Sequence, residues 1–326
     1  MDIISLSNET VKIPLVVIIG PTAVGKTGVA IELAEIFTGE IVSADSRLFY
    51  RGMDIGTAKP TTQERLRVPH HLIDIADPDE TWSLALFQVE ANRIITEIYQ
   101  RQHLPFLVGG TGQFMRSIIE GWKIPPANPD RHLRDALQHW AEQVGSTGLH
   151  ERLAVLDPQA ANSIDPSNLR RTIRALEVIF TTGRRFSEQR LSGQTLYQPL
   201  RIGLIRPRAE LYQRIDERIN KMLECGFVDE VRALLDAGNS PDLPTMSAIG
   251  YHEIIAYLHG NISLDEAVAL MKRRTREFVR RQANWFKEND PAIQWFQMDK
   301  GTIQDIEETI KRWLNSHLRW NFPFGR

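Results

Sequence analysis

Residues 20–27 combine residue types and a spacing that suit the binding of two linked phosphates. Their sequence, GPTAVGKT, fits the phosphate-loop pattern at every fixed position. Glycines let the main chain wrap an anion, Lys26 adds a mobile positive charge, and the Thr27 hydroxyl suits a Mg²⁺ ion that bridges phosphates. We therefore predict a Mg²⁺ cofactor bound through Thr27. The predicted diphosphate-binding residues are Gly20, Pro21, Thr22, Ala23, Val24, Gly25, Lys26 and Thr27.

Two further segments are expected beside that loop. Asp45 follows an apolar run at residues 41–44, and the sequence GGTG at residues 109–112 follows another run at 104–108. Ligands of open α/β sheets bind outside the carboxyl ends of the strands. On its position alone, Asp45 is either a catalytic carboxylate or the cap of a turn. An ATPase ends such a strand in Asp, so the glycines at residues 109–112 instead favour a site that admits a bulky group.

The elements that must position these residues follow from apolar patterns. The unbroken apolar run at residues 15–19 predicts a buried strand. Residues 200–205 are a further strand candidate, and residues 84–100 predict a helix. We therefore predict an α/β fold with a P-loop NTPase-like parallel sheet core flanked by helices. The side chains expected to face inward from the helix at residues 84–100 are Leu86, Val89, Ile94, Ile95 and Ile98.

A helical insertion is predicted in the middle of the chain. The composition changes at Trp122, prolines follow, and helical patterns continue to about residue 190. We predict a catalytic core of residues 1–121 and 199–326, with C-terminal helices, and an inserted all-helical domain of residues 122–198. Two glycines, Gly145 and Gly148, are expected to break its first helix.

Two arginine-rich helices are candidate RNA surfaces. In the helix predicted at residues 169–180, Ile173, Leu176 and Phe180 form an inward face, while Arg170, Arg171 and Arg174 point elsewhere. In the helix predicted at 271–287, Met271, Phe278 and Trp285 form an apolar stripe interpreted as core, opposite Arg273, Arg276, Arg280 and Lys287. Solvated charge is the alternative for both helices, and a membrane-surface helix is a further alternative for the second.

The overall composition excludes several classes of protein. A net charge of -2 over 326 residues means that any nucleic-acid surface must be local. The single cysteine, Cys225, excludes an internal disulfide and a multi-cysteine zinc site. No apolar run approaches the roughly 20 residues of a membrane span, and no leader pattern is visible. We expect a cytoplasmic protein with no membrane association and no evident obligate protein partner.

Several segments together closely resemble the tRNA dimethylallyltransferases, or tRNA isopentenyltransferases, of the bacterial type. The resemblance covers nearly the whole chain in order and spacing, and the sequence DIGTAKP at residues 54–60 is highly specific for that family. The lone cysteine excludes the zinc finger found in eukaryotic relatives. The matching segments are residues 20–27, 45–47, 50–60, 109–112, 171–177, 249–251 and 275–285.

The resemblance implies transfer of a dimethylallyl group from dimethylallyl diphosphate to N6 of adenosine 37, next to the anticodon of tRNA, with Mg²⁺ assistance. Asp45 would accept the proton that N6 loses, Thr111 would lie near the reaction centre, and Arg218 would be a second diphosphate cation. The residues implied in binding the tRNA anticodon stem-loop are Asp45, Ser46, Arg47, Leu48, Thr111, Arg134, Arg170, Arg171, Arg174, Gly250, Tyr251, Arg276, Arg280, Arg281 and Gln282.

Some positions depart from the family pattern. Leu48 stands where many relatives have Gln, and Arg170 replaces the Gln of a Q-R-x-x-R motif. Three alternative functions stay open: prenylation of a free adenine nucleotide, a small-molecule kinase with Asp45 as base, and a non-catalytic RNA-binding module. The arginine-rich segments disfavour the first, the glycines at 109–110 disfavour the second, and the phosphate loop disfavours the third.

Overall fold

The fold is centred on a six-stranded sheet in which every neighbouring pair is parallel. A computed structural model of the protein describes residues 12–124, 130–190, 193 and 195–317. The predicted proline-marked break at residues 125–129 and the tail after residue 317 lie outside the described residues. The strands are β1 (Ile13–Ile19), β2 (Gly39–Ser43), β3 (His70–His71), β4 (Leu104–Val108), β5 (Tyr197–Ile205) and β6 (Ile293–Gln297).

The helices flank this sheet or form a separate unit. A 3₁₀ turn at Ser187–Arg190 accompanies them. In the described part of the chain the helices are α1 (Lys26–Ile36), α2 (Thr62–Arg67), α3 (Leu84–Gln100), α4 (Gly112–Ile119), α5 (Arg131–Leu156), α6 (Pro158–Ser163), α7 (Leu169–Thr182), α8 (Arg208–Glu224), α9 (Phe227–Asp236), α10 (Tyr251–Leu258), α11 (Leu264–Gln282) and α12 (Thr302–His317).

The strand order is β3-β2-β4-β1-β5-β6, which puts β1 in the interior of the sheet. Residues Leu15 to Ile19 of β1 are fully buried, because helices cover both faces. Residues from β1, α1 and α12 share one apolar core that includes Val16, Leu33 and Ile310. The loop at residues 20–27 leaves the carboxyl end of this interior strand. The predicted fold class is therefore confirmed.

Contacts divide the chain into two compact units. One contains residues up to 83, 87–119 and from 196 onward, and it holds the sheet. The other contains residues 84–86 and 120–195. It has its own apolar core, formed by α5, α6 and α7 around Leu149, Leu153 and Leu176. Each unit thus buries a face of its own.

The predicted inward faces of α3 and α7 are partly wrong, and so is the predicted break in α5. Leu86 and Val89 of α3 are 49% and 63% exposed, because the buried face runs through Phe87, Ala91, Ile94, Ile95 and Ile98 at helical spacing. Phe180 is 50% exposed near the end of α7. The kink in α5 occurs at Gly145 alone, where φ is 77° and ψ is 165°, and Gly148 stays helical.

The predicted bounds of the helix at residues 271–287 are also wrong. The helix α11 begins at Leu264 and ends at Gln282, so Trp285 and Lys287 lie beyond it. A capping box at Ser263 and Glu266 explains the earlier start. Strands β3 and β6 were not predicted either. Both are edge strands, and their sequences are short or polar enough to escape an apolar pattern.

Candidate active site

The phosphate loop, residues 20–27, has the backbone that its sequence predicts. Gly20 and Gly25 have φ of 150° and 113°, and Gly25 is the N-cap of α1. A Cβ at Gly20 would lie 2.7 Å from the main-chain oxygen of Leu204, so only glycine fits there. The Lys26 Nζ donates hydrogen bonds to the main-chain oxygens of Gly20 (3.0 Å) and Pro21 (2.8 Å). The loop is therefore formed around its own lysine.

A cavity of about 430 Å³ opens from this loop, and we call it the phosphate compartment. Its wall carries four cationic side chains and a single glutamate from α8. Positive charge at the N-terminus of α1 adds to that field. The lining residues are Thr22, Ala23, Gly25, Lys26, Thr27, Gly28, Asp45, Leu48, Thr57, Ala58, Arg214, Glu217, Arg218 and Lys221.

A second cavity of about 460 Å³, the apolar compartment, adjoins the first. Helices α8 and α11 supply much of its wall through Ile215, Ile219, Met222, Met271 and Phe278. Trp285 closes one side against Gly112, where a Cβ would lie 2.2 Å from the indole. The stripe Met271, Phe278 and Trp285 therefore lines a cavity, and its interpretation as core holds only for Met271, since Phe278 and Trp285 are 36% and 37% exposed.

Five residues line both compartments: Thr22, Ala23, Asp45, Thr57 and Arg218. This shared wall contains one carboxylate and one guanidinium. A molecule that fills both compartments would therefore pass Asp45 and Arg218 at the junction. The geometry suits a reactant with an anionic end and an apolar end.

Asp45 caps a turn, and its role as a catalytic carboxylate stays a prediction. Its Oδ1 accepts a hydrogen bond from the Arg47 N–H at 3.0 Å, which caps the turn after β2. Its Oδ2 has no hydrogen-bond partner among the described residues and lies 4.0 Å from the position of a Cβ on Gly110. One oxygen therefore holds the turn, and the other is available to the compartments.

Thr111 lies next to Asp45 and ties two strand ends together. Its N–H donates to the main-chain oxygen of Ala44 at 3.3 Å, and its Oγ1 accepts from the N–H of Ser46 at 3.3 Å. Phe49, which follows the turn of Asp45, and Phe114, which follows Thr111, stack with Phe87, and the ring centroids are 4.4 to 6.1 Å apart. Thr111 is thus held rigidly against the turn of Asp45.

The charges at the shared wall influence one another. Burial lowers the pKa of Lys26 to about 8, although nearby Asp45 raises it, and Arg218 lowers it further. Burial also lowers the pKa of Arg218, again opposed by Asp45. Burial is the main cause of both pKa shifts, and Asp45 is the acid that favours the charged form of each cation.

The loop of residues 54–59 lines both compartments through residues 56–58, and hydrogen bonds to Glu230 hold its main chain in place. The carboxylate of Glu230 accepts hydrogen bonds from the N–H groups of residues 54, 55 and 56, at 2.6 to 3.1 Å, and from the Tyr251 hydroxyl at 2.6 Å. The buried Lys59 bridges Asp54 and Asp74, both at 2.5 Å. Lys59 is therefore part of the scaffold and does not line either compartment.

Two predicted tRNA-binding residues, Gly250 and Tyr251, occupy the start of α10. Tyr251 is fully buried, packs edge-on against Phe227, and lines the apolar compartment. Gly250 has φ of 98°, which explains the glycine. Burial and Glu230 both raise the pKa of the Tyr251 hydroxyl, so it stays protonated as a donor. Their contribution to tRNA binding stays a prediction.

The arginines of α11 differ from one another. Arg276 donates to both carboxylate oxygens of Asp216, at 2.7 and 2.6 Å, and lies 5.2 Å from the ring centre of Tyr212. Arg280 is exposed at the edge of a third cavity, and Arg281 lines the apolar compartment. Of these three arginines, Arg280 and Arg281 have guanidinium groups without an acidic partner among the described residues.

The second unit contains the other predicted arginines. Arg134 of α5 and Arg174 of α7 both donate to the buried Glu177, at 2.9 to 3.0 Å. Arg170 is exposed and Arg171 is half-buried at the start of α7. One acid thus neutralises part of the charge that the sequence pattern assigned to RNA.

Arg214 and Lys221 of α8 line the phosphate compartment, although neither was assigned to the site from the sequence. Arg214 Nε donates to the main-chain oxygen of Ala23 at 2.8 Å, which supports the phosphate loop. The sequence could have indicated Arg214, because it lies one helical turn before Arg218 and therefore shares its face of α8.

The phosphate loop after an interior strand of a parallel sheet defines a P-loop-type α/β protein. Comparison with known proteins identifies the particular group. The sequence profile of the family described as "IPP transferase" matches residues 48–289. The chain belongs to this family.

Individual relatives agree with that assignment. The tRNA dimethylallyltransferase of Roseiflexus sp. is 50% identical over 305 residues, which is 93% of this chain and 100% of the relative. The crystal structure of the tRNA isopentenylpyrophosphate transferase of Bacillus halodurans is 42% identical, with a TM-score of 0.71 over 94% of this chain and 98% of the other. A eukaryotic dimethylallyltransferase solved in the act of modifying tRNA is 26% identical, with a TM-score of 0.78 over 95% and 82%.

No helix in the described ranges is both long and apolar enough to cross a membrane. The alternative of a membrane-surface helix at residues 271–287 is disfavoured, because Met271, Phe278 and Trp285 line the apolar compartment.

Proposed function

We propose that this protein transfers a dimethylallyl group from dimethylallyl diphosphate to N6 of adenosine 37 in the anticodon stem-loop of tRNA, and that it releases diphosphate. One observation carries the proposal. A phosphate compartment and an apolar compartment share a wall that contains Asp45, Thr57 and Arg218. Curated relatives with about half of their residues identical have this enzyme name.

The donor fits the two compartments by its chemistry. Its diphosphate carries the negative charge that the amides of residues 20–27, Lys26 and Arg218 attract, and its dimethylallyl group is apolar. The allylic C1–O bond breaks as negative charge grows on the departing diphosphate. Donors that are already aimed at that charge lower the barrier, since they need no reorganisation during the reaction.

The acceptor is an adenine amino group, which is a weak nucleophile because its lone pair is delocalised into the ring. A bond forms between N6 and C1, and N6 loses one proton. The free Oδ2 of Asp45 lies at the junction where that proton leaves, so Asp45 is the proposed general base. The proton moves to the carboxylate, and the electron pair of the C1–O bond leaves with the diphosphate.

Mg²⁺ is proposed as the cofactor, held through the Thr27 hydroxyl. No cluster of three His, Cys, Asp or Glu side chains that could cage a metal occurs among the described residues. Mg²⁺ suits such a site, because it commonly binds one or two protein groups together with substrate phosphates. When bound, it would neutralise charge on the departing diphosphate.

The adenine must leave the stack of the anticodon loop to reach this site, as enzymes that act on bases require. The apolar compartment, with Phe278 and Trp285 on its wall, offers stacking surfaces for a flipped base. Arg281 lines this compartment, Arg280 lines a third cavity nearby on α11, and both are proposed to contact the tRNA backbone. The helical unit of residues 120–195 is proposed to bind the rest of the stem-loop.

The test uses purified protein, Mg²⁺ and radiolabelled dimethylallyl diphosphate with three parallel acceptors. These are unmodified tRNA with adenosine at position 37, AMP, and no acceptor. We expect label in tRNA alone, and nuclease mapping should place it on adenosine 37. Label in AMP alone would replace the proposal with prenylation of a free nucleotide, and consumption of ATP without any label would replace it with kinase activity.

A further inference from the structure

The side chain of Gln282 connects two parts of the site that are far apart in sequence. It is the last residue of α11 and lies between the apolar compartment and a third cavity of about 480 Å³. Its Oε1 accepts a hydrogen bond from the N–H of Thr22 at 2.9 Å. Its Nε2 donates to the main-chain oxygen of Gly110 at 3.0 Å.

Gly110 is shaped to receive this amide. A Cβ at Gly110 would lie 2.5 Å from Nε2 of Gln282, so a larger residue at position 110 would force the amide to move. The next residue is Thr111, which binds the turn of Asp45 through Ala44 and Ser46. A continuous set of hydrogen bonds thus runs from the phosphate loop through Gln282 to the turn of the proposed base.

We propose that Gln282 is a positioning residue that sets the distance between the bound diphosphate and the proposed base Asp45. This inference rests on the proposed function, and it differs from a role in binding tRNA. A residue that contacts the tRNA strengthens tRNA binding. A residue that fixes the spacing between donor and acceptor instead raises the rate after both have bound, because misplacement of about 1 Å costs roughly 100-fold in rate.

The structure favours the positioning role. Both ends of the amide are engaged by main-chain groups of the protein itself, one in the phosphate loop and one after β4. The neighbouring Arg281 has no such internal bonds and faces the apolar compartment, so tRNA contact is better assigned to that side chain. Loss of the Gln282 amide would remove both of the hydrogen bonds that link Thr22 to Gly110 through this side chain.

The experiment compares Gln282→Leu, which has a similar size but cannot form the two bonds, with Gln282→Glu, which keeps an acceptor for Thr22 but removes the donor to Gly110. The exposed Gln294 on β6 lines none of the three cavities described above, so Gln294→Leu is the matched control. Single-turnover rates are measured at saturating tRNA and dimethylallyl diphosphate. The Kd for tRNA is measured by filter binding without the diphosphate.

We expect Gln282→Leu to lower the single-turnover rate roughly 10- to 100-fold, with the Kd for tRNA within twofold of the unsubstituted protein. The ratio of prenylated tRNA to released diphosphate should also fall, because a poorly aligned donor loses more of its allyl group to water. Gln282→Glu should retain more activity than Gln282→Leu, and the control should match the unsubstituted protein.

Two results would overturn the inference. A tRNA Kd that rises tenfold with an unchanged saturating rate would make Gln282 a tRNA contact. An unchanged rate and Kd would remove it from the site. If Gln282→Leu does not fold, Gln282→Glu decides by the same criteria. Failure of the unsubstituted protein to label tRNA would instead contradict the proposed function, so the two failures are distinguishable.

Discussion

The phosphate compartment and the apolar compartment share a wall but arise from the chain in different ways. Six of the fourteen residues that line the first lie between 22 and 28, and the others are Asp45, Leu48, Thr57, Ala58 and four residues on one face of α8. The second draws its wall from residues near 22, 45, 56, 111, 215, 248 and 278. No single segment defines it.

That difference predicts how each compartment responds to change. Phosphate binding depends on the amides and the lysine of residues 20–27 and on the cations of one further helix, α8, so it should tolerate changes in α10 and α11. The apolar compartment depends on the packing of α8, α10 and α11, so changes in any of them should reach it. The shared wall belongs to both, and substitutions there should have the largest effects.

The largest effect is expected at Asp45. Asp45→Asn keeps an acceptor for the Arg47 N–H but removes the base, so the turn should persist while the rate of prenyl transfer falls roughly 100- to 10,000-fold. Asp45→Ala should also abolish transfer and leave tRNA binding largely intact. Single-turnover assays and filter binding measure both. A rate equal to that of the unsubstituted protein would restrict Asp45 to capping its turn.

The next effect is expected in the phosphate compartment. Lys26→Ala should lower kcat/KM for dimethylallyl diphosphate roughly 100- to 1,000-fold without changing the Kd for tRNA. The pKa of Lys26 is lowered to about 8, so its ammonium should be lost as the pH rises through that value in the free protein. Affinity for the diphosphate should therefore weaken above pH 8, and Lys26→Arg should remove that dependence. A flat profile for the unsubstituted protein would count against this assignment.

A smaller effect is expected in the apolar compartment. Trp285→Ala removes an aromatic wall, and loss of one base-stacking surface costs about 1–3 kcal/mol. The KM for tRNA should rise roughly tenfold, while the affinity for inorganic diphosphate stays unchanged. Leu66→Ala, at a side chain that is 81% exposed and lines neither compartment, is the control. If diphosphate binding weakens equally, the two compartments are not energetically separate.

Two arginines of α11 are expected to have different roles, one in tRNA binding and one in the stability of the fold. Arg280→Ala should weaken tRNA binding a few-fold and reduce the slope of log K against log salt by about 1, because one phosphate contact is lost. Arg276→Ala should instead lower the melting temperature, since it leaves Asp216 without its partner. Filter binding over a salt series and thermal denaturation distinguish them. The opposite pattern would exchange their roles.

The smallest effect on activity is expected at the opposite end of the sheet. Buried Glu40 accepts hydrogen bonds from His71, His103 and Arg101, which lower its pKa to about 2 despite burial. Because the folded pKa is depressed, this stabilisation is present above about pH 4.5 and is lost as the pH falls toward 2. Glu40→Gln should lower the melting temperature by roughly 3 °C or more at pH 7, with unchanged kcat and KM. A loss of activity would connect this cluster to the site.

The comparison extends to the two arginine-rich helices. Both look alike in the sequence, yet Arg134 and Arg174 share the buried Glu177, whereas Arg280 and Arg281 have no acidic partner among the described residues. The residue type alone does not show whether an arginine is paired with a buried acid or is available to bind a phosphate. The acid that distinguishes them belongs to a different turn or helix.

By itself, the sequence determined the local parts of this protein. The phosphate loop, the strands β1 and β4, the helix α3 and the place of Asp45 after β2 could all be predicted, because glycine spacing, apolar runs and helical period act within a few residues. The family resemblance added the predicted roles of Thr111 and Arg218, which no local pattern assigns and which stay predictions.

Only the tertiary structure decided what those parts do together. It put Met271, Phe278 and Trp285 around a cavity, fixed the loop of residues 54–59 through Glu230, and joined Thr22 to Gly110 through Gln282. These contacts connect residues about 170 to 260 positions apart. Packing and hydrogen bonding at such separations depend on where whole helices and strands lie, which no local pattern of residue types specifies.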